Sequence, residues 1–355
     1  MTWPDERILS LLGIELPIVQ APMAGAQGPE MAIAVSEAGG LGSLPCALLD
    51  VGGARAALAA IRAKTSKPVN VNFFCHVTPA PDPARDQAWR ARLDAYYVEL
   101  RVDPAAPVPS ASRGAFDGAM CELVEEARPE VVSFHFGLPD AGLLARARKA
   151  GAKIIASATT VAEARWLEEK GCDAVIAQGA EAGGHRGMFL GADITSQVGT
   201  MALVPRVVDA VKVPVIAAGG ISDARGIAAA FALGASAVQI GTAYLFCPEA
   251  TITQRHRAAL RDSDDDTVLT NVFTGRPARG IVNRLVREVG PMSPLAPQFP
   301  LAAGALAPLR AAADEARAGD FVPLWSGQAA RLGRELPAFE LTKRLAAEAL
   351  AKLGH

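Results

Sequence analysis

His185 stands in the run Gln178-Gly-Ala-Glu-Ala-Gly-Gly-His185, directly after the short apolar stretch Ala174 to Ala177. An apolar strand that breaks into a glycine-rich turn and delivers one histidine can aim a general base at a bound ligand. Imidazole suits that task because it changes charge near neutral pH. His135, in Ser133-Phe-His-Phe136, ends a second apolar run; it either lines the same cavity or is a hydrogen-bonded core residue. His76 follows Phe74-Cys75 and is a further candidate for pocket lining. His256 and His355 read as surface residues. No H-x-x-x-H pair or carboxylate cluster suggests a metal, and no G-x-S-x-G sequence suggests a serine hydrolase.

Two glycine turns could hold an anion. Ala217-Ala-Gly-Gly-Ile-Ser222 places Gly219 and Gly220 after one apolar strand, and Gln239-Ile240-Gly241-Thr242 ends the next. Bare glycines let the backbone approach a ligand, and free N–H groups before a helix attract a phosphate. Either turn alone could simply be tight; the pair at neighbouring strand ends favours a phosphate site. No G-x-x-x-x-G-K-[ST] sequence supports a nucleotide P-loop. Pro22 and Met23, in Ala21-Pro-Met-Ala-Gly-Ala26, offer an apolar shelf for a flat ring, although Met23 could be ordinary core. Asn72 and Gln178, at two further strand ends, could supply amide groups to a heteroaromatic edge. A flat ring with a phosphate tail points to FMN.

Eight strand candidates position these residues. They are Pro17–Ala21, Leu41–Leu44, Val69–Phe74, Val131–Phe136, Lys153–Ser157, Ala174–Ala177, Val213–Ala218 and Ala237–Ile240, nearly all separated by helical patterns. Among those helices, Thr160-Val-Ala-Glu163 opens one with a capping-box pattern, and Ser222-Asp-Ala-Arg225 opens another. Strict alternation implies a parallel sheet, and eight units predict a closed (β/α)8 TIM barrel, with an open doubly wound sheet as the alternative. The FMN-binding barrel is expected over residues 1–247. An insertion at about 77–114 is rich in Pro and Asp and carries a charged helical pattern near Ala88 to Leu100. Residues 248–355 show no second strand set and are expected to be a helical extension packed over the barrel mouth, ending in an amphipathic helix from Phe339 to Leu353.

Composition narrows the class further. Half of the 355 residues are hydrophobic, only 5% are aromatic, and the formal net charge is −2. Such a chain suits buried parallel strands under Ala-rich helices, and its lack of a basic run argues against nucleic acid or an anionic membrane as partner. Gly226 to Pro248 is uncharged and long enough to span a bilayer, but glycines and polar residues split it into a helix and a strand. Cys46, Cys75, Cys121, Cys172 and Cys247 lack any C-x-x-C spacing and read as reduced, mostly buried residues. With no signal peptide visible, a cytoplasmic protein is expected.

Gln20-Ala-Pro-Met-Ala-Gly25, Asn70-Val-Asn-Phe-Phe74, Gln178 to His185, Ala218-Gly-Gly-Ile221 and Gln239 to Thr242 together resemble the nitronate monooxygenases, once called 2-nitropropane dioxygenases. The resemblance runs from about Leu16 to Arg284, with an echo in Leu324-Trp-Ser-Gly-Gln328. The Gly-Gly-His and Gln-Ile-Gly-Thr pieces are shared with FMN-dependent enoyl-acyl-carrier-protein reductases. The resemblance implies FMN contacts from Pro22, Met23, Asn72, Gln178 and Gly183, a phosphate end held by Gly219, Gly220, Gln239, Ile240, Gly241 and Thr242, and His185 as catalytic base. It implies oxidation of an alkyl nitronate by O2 to a carbonyl compound and nitrite, the nitronate and O2 being the partners and a homodimer left open. The rivals are an FMN-dependent NAD(P)H reductase of an enoyl thioester or quinone, and a barrel that binds a phosphorylated metabolite without catalysis.

Overall fold

The computed structural model describes residues 2–105, 114–262, 266–313 and 319–354. Part of the expected insertion and His355 therefore lie outside the described residues. The eight expected strands are present: β1 (Ile18–Gln20), β2 (Gly42–Pro45), β3 (Val69–Phe74), β4 (Val131–His135), β5 (Lys153–Ala158), β6 (Ala174–Gln178), β8 (Val215–Ala218) and β9 (Ala237–Ile240). All pair in parallel, in the order β1-β9-β8-β6-β5-β4-β3-β2. Leu41 closes the ring, accepting from Gln20 N–H and donating to Ile18 carbonyl, both at 2.9 Å. The result is a (β/α)8 barrel.

Side chains alternate across each strand, which sorts them into two cores. Val132 and Phe134 of β4, Val175 and Ala177 of β6, and Val238 and Ile240 of β9 face outward under the helices. Val131, Ala174, Ile176, Ile216 and Ala237 face inward, where the barrel floor is filled by Ile8 and Leu12 of an unanticipated first helix, α1 (Arg7–Leu12). The same alternation points Asn72, Ser133, His135, Gln178 and Gln239 into the upper barrel, while Ile240 lies in the wall.

The helices follow their capping signals. Pro29 opens α2 (Pro29–Glu37), Asp50 caps α3 (Val51–Arg62), and Asp82 caps α4 (Pro83–Glu99), one turn earlier than expected. α5 (Gly118–Ala127) and α6 (Ala141–Lys149) flank β4 and are capped by Asp117 and Asp140. Thr160 caps α7 (Val161–Glu169) through Glu163 N–H. Glu163 does not close the capping box, however. Its buried carboxylate instead takes Thr159 N–H and Oγ1 and the N–H groups of Phe189 and Leu190. After α8 (Thr200–Val208), the uncharged Gly226–Pro248 stretch divides between α9 (Ala224–Ala232) and β9, as expected. Among the described residues no helix is long and apolar enough to cross a membrane. All five cysteines are free thiols, four of them buried.

The expected helical extension needs correction. α10 (Gln254–Asp262) is followed by two strands, β10 (Thr267–Thr270) and β11 (Ala278–Ile281). With β7 (Gly184–His185) they form a three-stranded antiparallel sheet, β10-β11-β7. Two four-residue strands, joined by a segment that carries Gly275 and Arg276, leave no alternating pattern long enough to read as a hairpin. α11 (Arg284–Val289) and α12 (Ala302–Ala312) pack with insertion helix α4 around Trp89, Tyr97, Phe273 and Leu306, so insertion and tail share one small core. The last helix, α13 (Ala338–Leu353), does not cover the mouth. It packs between α2 and α9 on the barrel wall, taking the place of the helix that β9 lacks, and Thr342 Oγ1 meets Tyr244 OH at 2.7 Å.

Candidate active site

A cavity of about 400 Å³ opens at the carboxyl ends of the barrel strands. It lies within the usual range for small-molecule sites, ~300–1,000 Å³. Pro22, Met23, Asn72, His135, Gln178, Gly183, His185, Gly219, Gly220, Gln239, Gly241 and Thr242 all line it. Of the remaining expected residues, Ile240 is buried in the wall. His76 is buried outside the lining, edge-on to Phe299 with ring centres 4.8 Å apart.

The turn after β6 is tied down at several points. Gln178 Nε2 donates to His185 carbonyl at 3.0 Å, and its Oε1 accepts from Gly187 N–H at 2.8 Å. Arg186, fully buried, donates to Gly179 carbonyl (2.5 Å), Gln178 carbonyl (2.7 Å) and Gln197 Oε1 (3.0 Å). Burial lowers its guanidinium only to about 10, so it stays charged at neutral pH. β7 pairing with β11 fixes the far side, with His185 opposite Ala278. The His185 ring is thereby held against Thr274 Oγ1, 2.9 Å from Nε2, and among Phe74, Phe136, Phe299 and Trp325.

His135 Nε2 lies 3.2 Å from His185 carbonyl, and a carbonyl can only accept, so that nitrogen carries the proton. Burial pushes the His135 pKa down to about 4. It is therefore a neutral donor that steadies the loop. Asn72 Nδ2 is committed to Ser133 Oγ at 2.9 Å, which leaves its carbonyl oxygen, not its amide donors, for a ligand.

Gly219 and Gly220 have φ of +112° and +70°, a conformation that other residues adopt only with strain. The N–H groups of Gly219, Gly220 and Gly241 donate to no carbonyl among the described residues. Gln239 Oε1 is buried and also lacks a partner among them. Asp223 caps α9 at Arg225 and Gly226 and pairs with Arg225, so the helix N-terminus is already satisfied and the turn N–H groups are what remains. A strap, residues 324–328, crosses beside this turn: Gly327 N–H donates to Thr242 Oγ1 at 2.9 Å and Gln328 N–H to Glu181 carbonyl at 3.0 Å. A Cβ on Gly183 would lie 2.5 Å from Gly327 N. Gly183 thus serves the fit of the strap.

Thr274, Trp325 and His256 were not singled out from sequence as site residues. His256, expected at the surface, is 7% exposed, lines the cavity and donates from Nε2 to Trp325 carbonyl at 3.0 Å. Burial holds its pKa near 4. Its charged neighbours in Gln254-Arg-His-Arg257 masked its inward position. Thr274 lies in a turn with no periodicity to mark it.

The fold and cavity define the class as an α/β barrel with a ligand site at the carboxyl ends of its strands. The nitronate monooxygenase family model matches residues 5–348. The chain is 43% identical over 344 residues to a nitronate monooxygenase of Paraburkholderia phytofirmans, covering 96% of this chain and 94% of that one. Among solved structures, a nitroalkane oxidase from Streptomyces ansochromogenes superposes with a TM-score of 0.87 at 40% identity, covering 97% of this chain and 98% of that one. FabK from Thermotoga maritima gives 0.75 at 30% identity, covering 99% and 98%. The chain belongs to the nitronate monooxygenase family.

Proposed function

We propose that this chain holds FMN across the carboxyl ends of its barrel strands and oxidises alkyl nitronates with O2 to carbonyl compounds and nitrite. The observation that carries the proposal is the position of His185: its ring borders the same cavity as the glycine turns at Gly219-Gly220 and Gly241-Thr242. The residues fit the cofactor. Unpartnered turn N–H groups match a phosphate, the buried Gln239 Oε1 awaits a donor, and Pro22 and Met23 form an apolar shelf. Bound FMN would supply the electron acceptor and the means of reducing O2.

The chain's own residues do the rest. His185 takes the α-proton when a neutral nitroalkane is the substrate and positions the anion when a nitronate is. The Thr274 hydroxyl on Nε2 fixes the ring plane, and the aromatic side chains around it keep water from the reacting carbon. His185→Asn is expected to abolish nitroalkane turnover while sparing much of the nitronate activity; equal loss on both substrates would remove the base assignment.

The likeness to FabK keeps the reductase as a second reading. Anaerobic mixing with NADH separates them, since rapid bleaching of the flavin would support the reductase. We further propose that residues 1–247 form the FMN-binding barrel and 248–355 an extension that completes its site and helical ring, in a cytoplasmic enzyme that assembles as a homodimer.

A further inference from the structure

Charged side chains gather behind the loop that carries His185, in the segment 178–190 or hydrogen-bonded to it. Two are carboxylates. Glu163 accepts from Thr159, Phe189 and Leu190, and Glu181 accepts from Thr200 N–H and Oγ1. Three are guanidiniums, Arg186, Arg276 and Arg279, and among the described residues their hydrogen bonds go to backbone carbonyls, the Gln197 amide and the Thr267 hydroxyl, never to a carboxylate. The shell therefore holds one positive charge in excess. Keeping a desolvated cation without an ion-pair partner is costly, and an anion received nearby offsets that cost.

Arg276 is the guanidinium turned toward the His185 ring. Its central carbon lies 3.8 Å from the Phe136 ring centre, and the same ring meets His135 at 4.6 Å and His185 at 5.9 Å. The charge thus stands within about 10 Å of the His185 imidazole, the sum of the first and last separations, but outside the cavity lining. Burial lowers the Arg276 guanidinium only to about 10, so it stays charged. Its field reaches the cavity wall: Arg276 and Arg186 both add to the burial that holds His135 near 4.

We propose that Arg276, from behind Phe136, supplies the positive field that favours an anion over its neutral counterpart at His185. It is a positioning residue, and the proposal rests on the proposed nitronate oxidation, in which the favoured anion is the nitronate. The phosphate assigned to the Gly219 turn is common to wild type and variants, so it does not enter the comparison between them.

The test uses two unreactive probes with the heavy-atom skeleton of propane-2-nitronate: isobutyrate, an anion, and isobutyramide, which is neutral. Their dissociation constants are read from the change in flavin absorbance of the loaded protein. Arg276→Gln keeps a donor for Met188 carbonyl and loses the charge. It should weaken isobutyrate about tenfold, as expected for a unit charge at ~10 Å and an effective dielectric of ~20, and leave isobutyramide unchanged. Arg276→Lys, which keeps the charge, should bind isobutyrate nearly as wild type does. The kcat/KM of propane-2-nitronate should fall about tenfold in Arg276→Gln, mainly through KM. Equal weakening of both probes, no weakening of isobutyrate, or no binding of isobutyrate to wild type would each overturn the proposal. Should wild type not turn over propane-2-nitronate, the functional proposal fails, and the two dissociation constants still decide whether Arg276 favours an anion.

Discussion

Acidification is expected to destabilise this protein through a histidine that its sequence placed on the surface. His256 is 7% exposed, and burial holds its pKa near 4 instead of the ordinary 6.5. The folded chain therefore keeps it neutral where the unfolded chain would protonate it. Stability from this group is fully present above the unfolded value, is lost as pH falls through 6.5, and stops declining below about 4. Integrated from pH 7 to pH 5, this amounts to about 2 kcal/mol. Carboxylates held below their ordinary values, such as Asp223 and Glu288, act in the same direction but at lower pH, so the window isolates histidine. His135, whose pKa burial likewise holds near 4, should add to the trend. In His256→Gln the amide can still donate to Trp325 carbonyl without titrating. The stability difference between wild type and this variant should therefore shrink by about 2 kcal/mol between pH 7 and pH 5 in urea unfolding. Histidine NMR gives a direct check, with the His256 ring staying neutral down to about pH 5. A midpoint near 6.5, or a stability difference independent of pH, would refute the reasoning.

Two substitutions probe the supports of the site. In Gly183→Ala the new Cβ would lie 2.5 Å from Gly327 N, so the strap must shift; FMN affinity should fall at least about tenfold, read from flavin fluorescence on dilution. Undiminished affinity would mean that the strap does not support the cofactor. In Glu163→Gln, one carboxylate oxygen that accepts from buried N–H groups becomes an amide donor facing a donor. A loss of about 3 kcal/mol is expected, with a lowered melting temperature as the readout; an unchanged melt would show that the 189–190 loop does not depend on Glu163.

The barrel was legible because its strands are buried on both faces and punctuated by glycine, which leaves short apolar runs such as Ala174 to Ala177 in plain view. The site glycines were legible for a related reason: Gly219 and Gly220 occupy backbone conformations that tolerate little else. Residues defined by tertiary contacts were not. His256 sits in a helix whose neighbouring residues are arginines, and only the packing of α10 against the strap turns it inward. α13 reads as an amphipathic helix wherever it docks. Its place between α2 and α9 follows from the gap that β9 leaves in the helical ring, which is a property of the closed barrel and not of the helix. The hairpin of β10 and β11 is hidden in the sequence because its strands have four residues each and β11 also pairs with β7, a two-residue strand supplied from more than ~90 residues upstream.

That pairing also says how the extension bears on the chemistry. The barrel anchors the backbone of His185, through Gln178 and the His135 ring meeting its carbonyl. The extension holds its imidazole, through Thr274 on Nε2 and the rings of Phe299 and Trp325. A barrel ending at Cys247 would keep the glycine turns and the apolar shelf but leave the histidine ring without the hydroxyl that fixes its plane. It would also lose Gly327, which closes onto Thr242 beside those turns. On the proposed function, ligand binding and base positioning are thus divided between two parts of one chain. Changes in the extension should then alter which carbon acid is accepted and how the imidazole meets it, and changes in the barrel turns how the phosphate is held.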